Sequence, residues 1–347
     1  MTAFNRDVLK IDPERTVNEL CETLRDVVCR RFKKRGAVVG ISGGVDSSTT
    51  LALCVRAFGP ERVLGVMMPE KESSRDSLVL ARELVEKFPV EAVIEDITGA
   101  LVGFGCYARR DEAIRRVFPE YDASYKAKIT LPTNVLDQDT LNVFSLTIIS
   151  PEGVEKRQRL NPKEYLQIVA ASNFKQRTRT AVLYYHAEAR NYAVIGTPNK
   201  NEHDQGFFVK WGDGGYDFTP IGHLFKTQVY QLAAYLGVPE RIQRATPTTD
   251  TYSAEVTQEE FFFQLPFELM DLLWYAWEHG VAPAEAAAAL DLAAEQVERA
   301  YRDFASKQRA TDYLRTPPLN VDRLAEDSPS IAGSPPAVGG DNVCIDR

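Results

Sequence analysis

The sequence predicts an α/β chain: a doubly wound parallel sheet with an inserted hairpin region and a helical C-terminal part. Three observations predict it. The run AVVGI at 37–41 is short, apolar and without alternation, as expected of a strand buried on both faces, and further strands read at 62–68, 90–97 and 192–196. Helical stretches separate these runs, and strand–helix alternation gives parallel strands with right-handed crossovers. The first run ends in a glycine-rich turn that opens a helix.

The elements follow in order. Val17, Leu20, Leu24, Val27, Val28 and Phe32 fall near i, i+3, i+4 and i+7 spacing, which predicts an amphipathic helix over 14–33. Gly36 breaks it, and AVVGI at 37–41 is the first strand. A helix is expected from Asp46 to Phe58, a strand at 62–68, a helix at 74–88 and a strand at 90–97. Residues 105–160 break the rhythm. A charged stretch, Arg109 to Arg116, precedes ITLPTNV and NVFSLTIISPEGVEKRQRL, which read as one or two hairpins turning at Pro151-Glu152-Gly153. This is an insertion on the core, and two readings are equally open, a functional one as a lid or partner surface and an inert decoration. A long helix over 162–190 feeds the strand YAVIG at 192–196. Residues 281–308 form a helical pair with the outline of a helix-turn-helix. The second helix carries Glu295 and Glu298 beside Arg299 and Arg302, so packing is the expected role. The tail over 326–347, rich in Pro, Gly and Ser, is expected to be disordered, leaving 1–325 as a single domain.

Composition narrows the function classes. A net charge of −8 argues against sequence-independent nucleic-acid binding, which needs clustered Lys and Arg. Five cysteines without a C-x-x-C pair fit a reducing cytoplasm, and neither a disulfide framework nor a zinc knuckle. Cys54 reads as a packed thiol. No run of 18 apolar residues predicts a membrane span, and the N-terminus lacks the apolar core of a signal peptide. The four histidines have no partner at metal-ligand spacing, with His203 alone placed to line a site beside Glu202. Phe261-Phe262-Phe263 reads as core.

The chemistry concentrates in Gly40-Ile41-Ser42-Gly43-Gly44-Val45-Asp46-Ser47-Ser48, where a buried strand meets a helix. Gly43 and Gly44 let backbone approach a phosphate without a Cβ in the way. Amides of the turn and of the helix N-terminus point at the anion. Ser42 and Ser47 add hydroxyl donors, and Asp46 suits Mg²⁺ held against phosphates. The kinase-type G-x-x-x-x-G-K-[ST] loop has no match. S-G-G-x-D-S after an apolar strand resembles the PP-loop ATP pyrophosphatases, which split ATP between its α and β phosphates and leave AMP on the substrate.

Four further strings narrow the resemblance: Asn173-Phe174-Lys175-Gln176-Arg177-Thr178-Arg179, Gly196-Thr197-Pro198-Asn199-Lys200-Asn201-Glu202, the run Gly206 to Asp217, and Pro220-Ile221-Gly222-His223-Leu224-Phe225-Lys226. In this order they resemble the ammonia-dependent NAD synthetases, over roughly residues 15–104 and 170–250. That resemblance implies an adenine nucleotide α-hydrolase-like fold and a C–N bond-forming ligase. Deamido-NAD would be amidated through an acyl-adenylate, with ammonia as nitrogen donor and AMP and pyrophosphate released. It implies catalytic roles for Asp46, Ser47 and Lys226. ATP contacts would come from Gly40, Ile41, Ser42, Gly43, Gly44, Val45, Asp46, Ser47, Thr197, Lys226 and Thr248. Mg²⁺ would sit on Asp46 and Glu202, and the dinucleotide on Arg177, Lys210, Asp217 and Lys307. It further implies a homodimer. Bottom-up, Lys226 and Mg²⁺ can neutralise charge growing on departing pyrophosphate, and Glu202 lies beyond a strand's carboxyl end, where such sheets bind ligands.

Two departures keep a second reading open, an adenylating amide ligase acting on a different carboxylate. The family's P-[ST]-A-D-L is here Pro247-Thr248-Thr249-Asp250-Thr251, and its His-Lys pair near the C-terminus is here Ser306-Lys307. About 35 residues precede the loop, against the ~200 a glutaminase domain needs. Free ammonia, or ammonia from a separate glutaminase, is therefore expected.

Overall fold

A computed structural model describes residues 4–131, 135–136, 144–248, 252–254 and 256–320. Helix α1 (Pro13–Arg25) begins at Asp12, whose carboxylate accepts from the Arg15 amide, with Pro13 at the first helical position. It runs into a π-helical turn, Asp26–Arg31, so the stretch expected as one helix changes pitch part-way. Then come β1 (Ala37–Gly40), α2 (Val45–Phe58), β2 (Val63–Met67), α3 (Arg75–Lys87) and β3 (Glu91–Ile94).

These strands, with β7 (Ala193–Val194), form a parallel sheet of order β3-β2-β1-β7. Side chains of β1 alternate between two cores. Ala37 and Val39 join Val17 of α1, Leu51 of α2 and Val229 of α8 (Lys226–Leu236). Val38, with Leu64, Val66 and Val194, packs on Leu183 and Ala187 of α6 (Pro162–Arg190). Helices therefore cover both faces, as the apolar runs predicted. The outer strands differ from that prediction. β3 is an edge strand with Glu91 and Ile94 exposed, and the 192–196 run pairs as strand only at two residues before Ile195 bridges to Phe218.

The 105–160 region contains α5 (Cys106–Val117) and an antiparallel sheet of order β4-β5-β6, with β4 at Lys126–Thr130, β5 at Ser145–Ile149 and β6 at Glu155–Arg159. α4 (Thr98–Gly103) precedes it. The expected turn closes where Gly153 N donates to Ser150 O at 2.9 Å. Ile129, Leu146 and Ile148 pack against Ile114 and Phe118, and on Ile168 of α6. The charged stretch that gave no element in sequence is α5.

Short helices α7 (Lys200–Gln205) and α9 (Glu240–Gln243) flank α8. α10 (Phe267–Glu278), α11 (Pro283–Leu290) and α12 (Ala294–Arg315) complete the C-terminal part. Ala286, Leu290, Val297 and Phe304 join Trp274 in one core, so the helical pair packs inward as expected. The tail over 326–347 lies outside the described residues. Among the described residues no helix is long and apolar enough to cross a membrane.

Candidate active site

The glycine-rich turn is built by its own hydroxyls. Ser42 Oγ accepts from the Gly44 amide at 3.3 Å and lies 3.0 Å from Ser47 Oγ. Ser47 Oγ donates to Gly44 O at 3.1 Å, and Ser48 Oγ to the same carbonyl at 2.8 Å. Gly43 has φ +83°, and a Cβ there would meet Ser77 O at 2.5 Å, so only glycine fits. Helix α2 starts at Val45 with no side-chain cap, leaving its first amides free for an anion.

Behind the turn stands a charged cluster. Lys226 is buried, at 1% exposure, and its ammonium is ion-paired with Asp46 Oδ2. Asp46 Oδ1 accepts from Asn199 Nδ2 at 3.0 Å. Asn199 caps α7 in a reciprocal box: its side chain accepts from the Glu202 amide, and Glu202 Oε2 accepts from the Asn199 amide, each at 3.1 Å. Burial pushes the Glu202 carboxyl up, the Asp46 charge pushes it further, and Lys226 pulls it back. Burial alone would lower Lys226, but Asp46 and Glu202 outweigh it and hold the ammonium protonated.

The cluster opens on a cavity of about 690 Å³. Its wall includes Gly40 to Ser47, Thr197, Glu202, Lys226 and Thr248, together with Arg177 and Lys210. α6 contributes one stripe from Tyr165 through Ser172 and Gln176 to Leu183. Lys210 Nζ donates to Tyr313 O and Thr316 O, both at 2.7 Å, at the C-terminal end of α12. Gly206 ends α7 at φ +78°, turning the chain so that Phe207 and Phe208 face the cavity.

The protein-family model for NAD synthase matches residues 16–120 and 110–318. The chain belongs to the NAD synthase family. It is 49% identical over 320 residues to the NH(3)-dependent NAD(+) synthetase of Mesorhizobium japonicum, covering 92% of this chain and 100% of that one. The NH(3)-dependent NAD(+) synthetase of Rhizobium meliloti is 48% identical over 323 residues, covering 93% and 96%. The solved structure of an NH3-dependent NAD synthetase from Campylobacter jejuni, in complex with the nitrate ion, superposes with a TM-score of 0.59 at 21% identity, covering 90% and 100%. That likeness concerns the fold, the adenine nucleotide α-hydrolase-like architecture of the PP-loop family.

Within this NAD synthase cleft, not every residue singled out by sequence reaches the cavity. Asp217 is exposed and stands outside the lining: Oδ2 accepts from the Val194 amide at 2.8 Å and Oδ1 from the Tyr184 hydroxyl at 3.0 Å. Lys307 is buried beneath the wall. Its ammonium donates to Phe262 O at 2.9 Å and pairs with Asp303 at 2.8 Å. His203 turns to Asp204 at 2.9 Å and stands outside the lining. Phe263 is core, while Phe261 and Phe262 line the cavity. Burial raises the Cys54 thiol, as expected of a packed cysteine.

Sequence reasoning assigned no role to two residues that the structure brings to the cluster. Asn199 bridges Asp46 and Glu202, and its N-x-x-E spacing is a capping-box signal. Gln258 donates from Nε2 to Glu202 Oε1 at 3.3 Å, and nothing in its surrounding sequence marks it.

The donor set fits Mg²⁺. Asn199 touches both carboxylates, its side-chain amide donating to Asp46 Oδ1 at 3.0 Å and its backbone amide to Glu202 Oε2 at 3.1 Å, and burial together with the Asp46 charge pushes the Glu202 carboxyl up. Hard oxygen donors suit this ion, which otherwise keeps waters and phosphate oxygens. Among the described residues no group of three or more His, Cys, Asp or Glu side chains could hold a metal without such additions.

Proposed function

We propose that this chain amidates deamido-NAD to NAD, using ATP and ammonia. Family membership supports this most directly. The observation that carries it in the fold is the Lys226–Asp46–Asn199–Glu202 cluster behind an uncapped helix N-terminus.

A carboxylate oxygen of the substrate attacks the α-phosphorus of ATP. The bond to the bridging oxygen breaks, and pyrophosphate leaves with the electron pair. Ammonia then attacks the acyl carbon, AMP departs, and the nitrogen sheds one proton to leave an amide. The turn from Gly40 to Ser47, with Thr197 and Thr248, would hold the nucleotide. Lys226 would stabilise the charge that gathers on pyrophosphate, an interaction strengthened in a buried site. Mg²⁺ on Asp46 and Glu202 would neutralise phosphate charge. Arg177 and Lys210 would receive the dinucleotide. Asp217 and Lys307 support this role indirectly, by bracing β7 and the Phe262 wall.

Residues 1–325 are read as one domain acting in the cytoplasm. Exposed Val102 and Phe104, the latter stacked on Phe174 of α6, offer apolar surface for a second copy. A dimer mass by light scattering is expected, and a monomer at micromolar concentration would remove that part of the reading. Ammonia, free or delivered by a separate glutaminase, is the proposed nitrogen donor.

Adenylation is reversible, so labelled pyrophosphate should exchange into ATP when deamido-NAD is present and ammonium is absent. Exchange with another carboxylic acid alone would instead favour the second reading, motivated by the inserted hairpins and by Ser306-Lys307 in place of a His-Lys pair.

A further inference from the structure

We infer that Asp271, on α10, is a positioning residue that holds the helices carrying Lys226 and Glu202 in register. The inference rests on the proposed adenylation reaction. Asp271 is fully buried, in a helix face otherwise made of Phe267, Met270, Leu272, Leu273 and Trp274. An acid in such surroundings is costly unless its oxygens are bonded. Both oxygens are bonded, and to different helices. Oδ2 accepts from the amide of Thr227, the second residue of α8, at 2.8 Å. Oδ1 accepts from Asn201 Nδ2, on the second residue of α7. Asn201 is itself fully buried and immediately precedes Glu202. Thr227 immediately follows Lys226. One carboxylate therefore clamps the first turns of the two short elements that present the catalytic ammonium and the second metal carboxylate. Phe267, one turn earlier on α10, places its ring 5.4 Å from the Lys226 ammonium, so α10 supports that lysine twice.

The clamp does not touch the glycine-rich turn. Its loss should therefore lower the chemical rate and leave nucleotide binding in place. A displacement of about 1 Å at reacting groups costs roughly a hundredfold in rate.

The test compares Asp271→Leu, Asp271→Asn and Asn201→Ala with the wild-type protein, by kcat and KM for ATP. Asp271→Leu should lose about a hundredfold in kcat, with KM for ATP moved less than threefold. Asp271→Asn should recover most of the rate. Its amide can donate to Asn201 Oδ1, a buried atom without a hydrogen-bond partner, once the Asn201 amide turns over. Asn201→Ala, which cuts one arm, should fall between them and still report if the leucine variant does not fold. Folded Asp271→Leu with wild-type kcat would overturn the inference. So would Asp271→Asn as slow as Asp271→Leu, which would assign the effect to charge. Wild-type protein without turnover would instead overturn the reaction on which the inference rests.

Discussion

Lys226 carries a full charge at 1% exposure, which a lysine sustains only with carboxylates against it. Asp46 and Glu202 supply them, and their attraction exceeds the cost of burial. Replacing it with methionine keeps the packing against Phe267 and removes the charge. Lys226→Met is expected to lower kcat by about 10²- to 10³-fold, the usual cost of one lost transition-state contact, with KM for deamido-NAD little changed. A variant within threefold of wild type would remove Lys226 from the chemistry. This residue, Asp46 and Glu202 were legible in sequence because each stands in a string whose residue types the chemistry demands. Asp217 and Lys307, expected at the dinucleotide, bond to the Val194 amide and the Phe262 carbonyl and are absent from the cavity lining. Which way a side chain points depends on how its segment packs, and a linear string does not carry that.

At the scale of elements, a second charged network fixes the cleft wall. Lys175 of α6 pairs with Glu70 at 2.8 Å and Glu72 at 2.9 Å, and Arg110 of α5 holds Glu72 at 2.6 Å. These glutamates belong to the loop between β2 and α3, whose Pro69 and Ser73 line the cavity. The same network explains why α5 was missed. Its inner face buries Arg110 and Tyr107 against glutamates, so the helix lacks a plain apolar stripe. Burial alone would raise the Glu72 carboxyl above its ordinary 4.5, but the Arg110 hydrogen bond and the Lys175 charge bring it down to about 2. A carboxyl lowered by folding adds stability above its unfolded value and loses it as pH falls toward the folded one. The contribution is on the order of 3 kcal/mol at neutral pH. Denaturant unfolding should therefore show stability falling between about pH 5 and pH 2. Glu72→Gln should be destabilised at neutral pH and flatter in that window. Parallel curves for the two proteins would contradict the assignment.

At the scale of the whole molecule, the doubly wound sheet was legible because its central strands, β1 and β2, are buried on both faces and leave unbroken apolar runs. Edge strands were overextended, since nothing in 90–97 or 192–196 marks where pairing stops. The cavity gathers residues from the β1–α2 turn, α6, the α7–α8 region and α12, so its extent depends on tertiary packing. One stripe of α6, from Tyr165 to Leu183, runs along it for roughly 27 Å at 1.5 Å per residue. The most direct test mixes the protein with ATP, Mg²⁺, ammonium and deamido-NAD, and follows pyrophosphate and NAD together. Equal accumulation of both, dependent on every component, is the predicted result. Protein that binds ATP yet releases no pyrophosphate with deamido-NAD would contradict the proposed substrate.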